Sequence, residues 1–346
     1  MVAHEIGHLP CDYGVSKDDA LHAEEDEAIV NVASARASKA PLSLIILTYN
    51  EEVNIPHTLD NAKEWAGEIV IVDSLSTDGT LDICRKYTDK IYQHPFENQA
   101  KQFNWALDNV SLQYEWVLRL DADETLTPEL AEEITRVLPT LSRAVTGIYM
   151  KRRVYFMGRW MKHGDYYPMW FLRLFRKGKG RYEEITEEHI VLSEGTAIRL
   201  QHDFIDYNRK GLSFWTDKHA HWAIGEMLDV LSMMGQGTLP SGTVRPTLFG
   251  SQEQRRRWLK TRLYARLPLF LRAFAIFFYR YVLRLGFLDG VEGLIFHFLQ
   301  GCWYRFYVDA KIYEAKRFGI AKAELALAYS SSKPWDAGRP DAPPKG

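Results

Sequence analysis

Trp116-Val117-Leu118-Arg119-Leu120-Asp121-Ala122-Asp123-Glu124 carries an apolar run straight into three carboxylates. A buried strand does not tolerate such an ending, so these acids mark its C-terminal edge, where α/β sheets bind ligands. Alternate residues of an extended chain face opposite sides, and Asp121 and Asp123 share one cation only if the chain turns at Ala122, which is small enough to allow it. Mg²⁺ or Mn²⁺ held there would keep positions open for diphosphate oxygens and neutralise charge on a departing nucleotide. Alone, an Asp-x-Asp pair equally describes a solvated turn.

The surroundings decide between the two. Residues 42–47 read as a buried strand running into Thr48-Tyr49-Asn50-Glu51-Glu52, and residues 68–72 as a second one ending in Asp73-Ser74-Leu75-Ser76-Thr77-Asp78-Gly79-Thr80. A third apolar segment at residues 90–92 precedes Asn98-Gln99-Ala100-Lys101-Gln102-Phe103-Asn104. Helical patterns cover residues 53–65, 81–87 and 99–110, and Pro128 after Thr127 suits a first helical turn. Strands alternating with helices predict an α/β fold with a mostly parallel sheet, its polar loops gathered along one edge. Taken singly, Asp73 and Asp78 also suit turns or caps, and Lys101 a solvated helix face.

Together, in this order, the four motifs resemble family 2 glycosyltransferases of the GT-A fold, and among them bacterial enzymes of lipopolysaccharide core or exopolysaccharide synthesis. The resemblance covers residues 41 to 230 well and continues loosely to about 320. It implies that Thr48, Tyr49, Asn50 and Glu52 line the base and ribose of a nucleotide-sugar donor, a UDP-sugar, with Asp73 on the uracil or ribose and Ser74 and Ser76 nearby. Lys101 would lie near the diphosphate and Asn104 would brace its loop. Asp121, Ala122 and Asp123 would form the metal motif, with Asp123 the more direct ligand. His202 stands where relatives carry a histidine near the metal. Asp206 occupies the place of a second one, and the third ligand is left open.

Transfer with inversion needs a base for the acceptor hydroxyl. The cluster Glu183-Glu184-Ile185-Thr186-Glu187-Glu188-His189 supplies carboxylates; the resemblance points to Glu188, then Glu187, while a solvated charge run is the plain alternative. Before it, the stretch from Met157 to Arg176 mixes aromatics with Arg, His and Gly. Trp160, His163, Trp170 and Arg173 are therefore acceptor or diphosphate candidates, since rings stack on pyranose faces and basic groups hold phosphate, unless the rings merely cover the sheet.

Composition sets the frame. The chain of 346 residues has a formal net charge of −2 and three scattered cysteines without disulfide or metal spacing, as expected in a reducing compartment. Residues 1–40 hold eight acids against three Lys or Arg, without a basic start or apolar core, and predict an acidic disordered tail rather than a signal peptide. Residues 41–245 form the catalytic domain, 246–328 a basic and aromatic helical extension, and 329–346 a proline-rich disordered tail. From Gln254 to Leu288 there are nine Lys or Arg and no acid, interleaved with Phe, Leu and Tyr. Charges interrupt every apolar run before the roughly 20 residues a bilayer span needs, so the segment reads as an interfacial helix on anionic headgroups. Packing on the catalytic domain or in a homo-oligomer, with the arginines reaching water, is the alternative. Nucleic acid is not an expected partner, because the basic stripe is too apolar.

The combined expectation is a metal-dependent inverting transferase, peripheral on the inner face of the bacterial cytoplasmic membrane, acting on a hydroxyl of a lipid-linked or lipopolysaccharide acceptor. Transfer to polyprenyl phosphate, and a non-catalytic nucleotide-sugar-binding scaffold, are the competing expectations.

Overall fold

The computed structural model describes residues 39–183, 189–236 and 267–320, with residues 247, 249, 255 and 258 singly. Residues 1–38 of the first predicted tail, the whole of the second, Glu187, Glu188 and most of the basic residues between 255 and 266 lie outside the described residues, while Ala40, placed in the tail from the sequence, opens the first strand.

Four strands begin the sheet: β1 (Ala40–Thr48), β2 (Ala66–Asp73), β3 (Ile91–Gln93) and β4 (Trp116–Asp121), all parallel in the order β3-β2-β1-β4. Their near-continuous apolar sequence follows from helices covering both faces. Leu42, Leu44 and Ile46 turn to the face packed by Leu59 and Ala62 of the Ile55–Trp65 helix and by Ile134 of Pro128–Val137. Ile45, Val70 and Val117 turn to Phe103 and Ala106 of the Gln99–Asn109 helix. Pro128 does open its helix, capped by Thr127, whose hydroxyl accepts the Leu130 N–H.

Beyond β4 the sheet becomes mixed. The remaining strands are β5 (Glu124–Leu126), β6 (Val145–Phe156), β7 (Arg159–Trp160), β8 (Trp170–Arg176), β9 (Gly180–Tyr182), β10 (Ile190–Leu192) and β11 (Thr196–Asp206). The sheet runs β3-β2-β1-β4-β8-β6-β11-β5, with β7 on β6 and β9–β10 as a separate pair. β8 lies antiparallel to both β4 and β6, while β6 and β11 are parallel. Register brings the chemistry to one edge: Thr48 pairs with Asp73, Leu47 with Asp121, and Asp206 with Glu124.

A helical layer follows. The helix Gly211–Gln236 packs through Ala223 and Met227 on Val308 and Ile312 of the helix Tyr304–Phe318. Between them the helix Leu271–Phe278 widens into a π turn at Tyr279–Leu283 and reverses through a 3-10 turn at Gly286–Asp289. The helix Gly290–His297 then leads by a second π turn into Tyr304–Phe318. A small core of Phe156, Met161, Tyr166 and Phe296 joins this layer to the sheet. Gly164 is obligatory there: a Cβ would meet the His297 ring at 2.0 Å, and its φ is +70°. Among the described residues, no helix is long and apolar enough to cross a membrane.

Candidate active site

The chain turns at Ala122 and Asp123 as the spacing required, and the hydroxyl of Thr58 pins that turn by donating to the Ala122 carbonyl at 2.6 Å. Asp121 and Asp123 then meet different surroundings. Asp121 is gripped from inside the sheet: the Arg119 guanidinium donates to Oδ1, Gln99 Nε2 donates to the same oxygen at 3.0 Å, and Arg173 stands 3.6 Å from Oδ2. Glu124, buried, accepts the Asp121 N–H at 2.8 Å and Arg173 Nη2 at 2.7 Å. Burial pushes the Glu124 carboxyl well up, the Asp121 charge adds to that, and Arg119 opposes it. Burial works against charge on Arg119, yet Asp121 holds it above its ordinary value.

Asp123, half-buried like Asp121, is held from the end of β11. Its Oδ2 accepts Asn208 Nδ2 at 2.8 Å, and its carbonyl accepts the Tyr207 N–H at 3.0 Å. Those bonds draw the end of β11 alongside, so Asp206 feels the charges of both Asp123 and Asp121. Burial, followed by these neighbours, pushes Asp206 up to about 6 against the pull of Arg152, which lies 3.2 Å away, and Lys218. Glu51 completes the rim. It is raised by burial and by Asp123, while Lys210 at 2.7 Å opposes.

Among the described residues, no three histidine, cysteine or acidic side chains converge as a ready-made metal cage. A hard cation that keeps water and takes its remaining oxygens from a diphosphate needs only two carboxylates. Asp123, held through one oxygen by Asn208, and Asp206, half-buried and paired with Arg152, are candidates for them. Asp121 is engaged by two guanidiniums and an amide.

His202 does not come to this edge. Glu133 of the Pro128–Val137 helix takes its ring Nδ1 at 2.8 Å and the backbone N–H groups of Gln201 and His202. Four residues of extended chain, about 13 Å, separate it from Asp206, so the expected histidine ligand is a strand-to-helix tie.

The donor candidates form a laced rim. Asp73 has no exposed surface; its carboxylate accepts Thr48 Oγ1 at 2.9 Å, the Ser76 N–H at 2.8 Å and Ser76 Oγ at 2.5 Å. It therefore shapes the loop and has no open side toward a ligand in this arrangement. Asn50, at φ 51°, accepts the Thr77 N–H at 2.8 Å, and Glu52 accepts the Gly79 N–H at 2.8 Å. Ser74 Oγ accepts Gln102 Nε2 at 3.1 Å; Tyr49 is half-buried beside them. Asn104 clamps the Tyr182 backbone in both directions at 3.0 Å, bracing the strand that leads to the acidic cluster. Lys101 is exposed and paired with Glu97 at 2.5 Å.

Of the acceptor candidates, Arg173 joins the Asp121 edge. Trp160 stands edge-on to Tyr167 at 5.0 Å beneath the Arg153 guanidinium at 4.7 Å. Trp170 is covered by Lys151 and Arg199. His163 turns away: its Nδ1 lies 2.6 Å from Asp289 in the helical layer, so it fastens that layer and is not placed to meet a substrate. Arg119, Glu124 and Gln99 were not anticipated. An arginine inside the apolar run Trp116–Leu120 was the available signal, since a buried guanidinium needs a partner.

Residues 43–201 match the model of glycosyl transferase family 2. That stretch is similar to family 2 glycosyltransferases. The chain is similar to the lipopolysaccharide core biosynthesis glycosyltransferase LpsC of Rhizobium meliloti, with 35% identity over 156 residues, 44% of this chain and 56% of the relative. An uncharacterized glycosyltransferase of Rickettsia typhi is 34% identical over 93 residues, 27% of this chain and 31% of the relative. The chain thus spans about half or less of the length of these curated relatives. Among solved structures, S. aureus TarS 1-349 in complex with UDP-GlcNAc aligns with a TM-score of 0.38 at 16% identity, covering 82% of this chain and 92% of that one.

Proposed function

We propose that the chain transfers a sugar, with inversion, from a UDP-sugar to a hydroxyl of a membrane-associated glycan or lipid-linked acceptor in bacterial cell-surface polysaccharide synthesis. The observation that carries this is the carboxylate edge, Asp123 beside Asp206 with Asp121 locked behind, inside a stretch similar to a sugar-transferring family. The LpsC likeness supports a lipopolysaccharide-type acceptor.

Asp123 and Asp206 would hold Mg²⁺ or Mn²⁺, which when bound screens the diphosphate charge. Arg119, Arg173 and Glu124 keep Asp121 and the turn fixed, so the edge needs no rearrangement to receive the donor. The acceptor oxygen attacks the anomeric carbon as the bond from that carbon to the diphosphate breaks, and the electron pair leaves with UDP. Glu188, or failing that Glu187, takes the hydroxyl proton. Both lie outside the described residues, and the Asn104 clamp on Tyr182 supports a fixed approach to them. Trp160 and Tyr167, edge-on to each other with cations over their rings, are the aromatic candidates for an acceptor sugar. The outward apolar surface of the helical layer supports action at the inner face of the cytoplasmic membrane.

The test is release of UDP from UDP-sugars with Mn²⁺. Asp123→Ala is expected to abolish it, and unchanged release would sink the reading, as would no release from any donor, which would leave a binding scaffold. Glu188→Gln separates acceptors. A hydroxyl acceptor loses about 10²–10⁴-fold in rate, whereas polyprenyl phosphate, already nucleophilic, loses little.

A further inference from the structure

We propose that the acceptor sugar carries an anionic group, a phosphate or a carboxylate, received by Lys162 and Arg199 on an aromatic face beside the carboxylate edge. This deepens the transferase reading and rests on it for the role of the face, not for the binding itself.

Topology brings that face to the chemistry. β6 and β11 run parallel to each other, and β8 lies antiparallel to both β4 and β6. The ends of β6 and β11 and the start of β8 therefore reach the same edge of the sheet as Asp121, the last residue of β4. There Lys151 pairs in register with Trp170 of β8 and with Asp203 of β11. Asp203 precedes Asp206 by three residues of extended chain, about 10 Å.

Three rings join at this place. Trp160 stands edge-on to Tyr167 at 5.0 Å, and Lys151 lies over Tyr167 at 5.7 Å and over Trp170 at 5.6 Å. Both indoles carry two cations. On Trp160 they are Arg153 at 4.7 Å and Lys162 at 5.5 Å; on Trp170 they are Lys151 and, at 5.0 Å, Arg199. A ring attracts a cation without neutralising it, so the charges gathered here still repel one another.

The inner and outer cations differ in what answers them. Asp203, buried, meets Lys151 at 3.3 Å and Arg153 at 2.7 Å, and its carboxylate accepts the Tyr167 hydroxyl at 3.2 Å. Exposed Glu129, in the first turn of the Pro128–Val137 helix, lies within the field of Arg153. Lys162 and Arg199 are exposed and form no ion pair among the described residues. A neutral glycan laid on these rings would leave both charges unanswered. A phosphate or carboxylate on the sugar accepts charge-assisted hydrogen bonds from an ammonium and a guanidinium, while the half-buried rings meet its apolar faces.

The experiment is calorimetric titration of the full chain with glucose 6-phosphate, glucuronate and glucose, each without and with UDP and Mn²⁺. At least one anionic sugar is expected to bind about tenfold more tightly than glucose, with or without UDP. A preference for the phosphate alone or the carboxylate alone names the anion. Lys162→Gln/Arg199→Gln is expected to weaken that binding about tenfold, through loss of charge-assisted contacts, and to leave the melting temperature unchanged. Should the double variant fail to fold, each single substitution is read by the same criterion. The proposal is overturned if neither anionic sugar binds better than glucose or if the folded variant binds them as the parent does. Displacement of the anionic sugar by UDP with Mn²⁺ overturns it too, by placing the anion in the donor site. Absence of UDP release from any UDP-sugar, with the preference for anionic sugars intact, counts against the transferase reading alone.

Discussion

The carboxyl edge of the sheet and the outer face of the helical layer solve opposite problems with the same kinds of residue. At the edge, charged groups are turned inward and tied: Asp121 meets Arg119, Arg173 and Gln99, and Asp73 is closed in by Thr48 and Ser76. On the outer face, Phe274 and Phe287 are about half exposed, while Arg272 is sealed against Asp309. An edge built to receive a charged ligand gains from donors that are already oriented. A face that leaves this much apolar surface in water gains from a partner. The comparison teaches that rigidity at the edge comes from buried ion pairs, and that among the described residues the helical layer has one such pair with no side-chain exposure at all.

That point is the place to break it. Arg272 and Asp309 have no side-chain exposure, and Asp309 also accepts the Phe270 N–H at 2.7 Å, fixing the start of the Leu271–Phe278 helix. Asp309→Ala strands a buried cation and is expected to cost about 3–5 kcal/mol. Urea unfolding followed by circular dichroism measures this. Replacing both partners, Arg272→Met with Asp309→Leu, is expected to recover most of the loss, because the pair's attraction barely exceeds its desolvation penalty. A double variant as unstable as the single one would mean that the helix start, not the charge, sets the cost.

How much of this was legible in the sequence depended on distance along the chain. β1, β2, β4 and the helices between them declare themselves through unbroken apolar strands and period-matched faces, and the turn at Ala122 follows from its two acids. Arg173 was visible but was assigned from its aromatic neighbours, because its meeting with Asp121 depends on β8 running antiparallel to β4, a long-range pairing without a local signature. His163 and Asp289 lie 126 positions apart, and nothing in either neighbourhood names the other. His202 illustrates the reverse error. A histidine at the right spacing was captured by Glu133, which was itself indistinguishable from any solvated helix acid.

A second probe of the helical layer uses pH. His219 sits in the Gly211–Gln236 helix, stacked on Trp215 at 3.5 Å and edge-on to Tyr304. Burial pushes its pKa down to about 4, with Lys218 adding to the effect and the Trp215 carbonyl opposing it. The ordinary histidine value is about 6.5, so between these two values the unfolded chain binds the proton that the folded one refuses. Stability is therefore full above about pH 6.5 and declines as pH falls toward 4. His219→Gln should flatten that part of the profile relative to the parent, by at most on the order of 3 kcal/mol at the acid end. Identical slopes from pH 7 to 4.5 would show that the ring does not stay neutral in the fold.

The smallest effect on the fold tests the edge. Lys101 and Glu97 form an exposed pair one helical turn apart, and the Lys101 hydrogen bond keeps the Glu97 carboxyl below its usual range. Such pairs contribute little to stability, so Lys101→Ala should leave the melting temperature unmoved. If Lys101 meets the diphosphate when the donor arrives, it must first leave Glu97. Affinity for a UDP-sugar should then fall about tenfold in Lys101→Ala, in keeping with the loss of one charge-assisted contact. Glu97→Gln should leave affinity equal or improve it, since the cation no longer has a competing anion. A titration in which both variants bind like the parent would return Lys101 to an ordinary solvated helix charge. It would also leave donor recognition to the rim loops and the carboxylate edge, where Arg173, Arg152 and Lys210 are already paired with Glu124, Asp206 and Glu51.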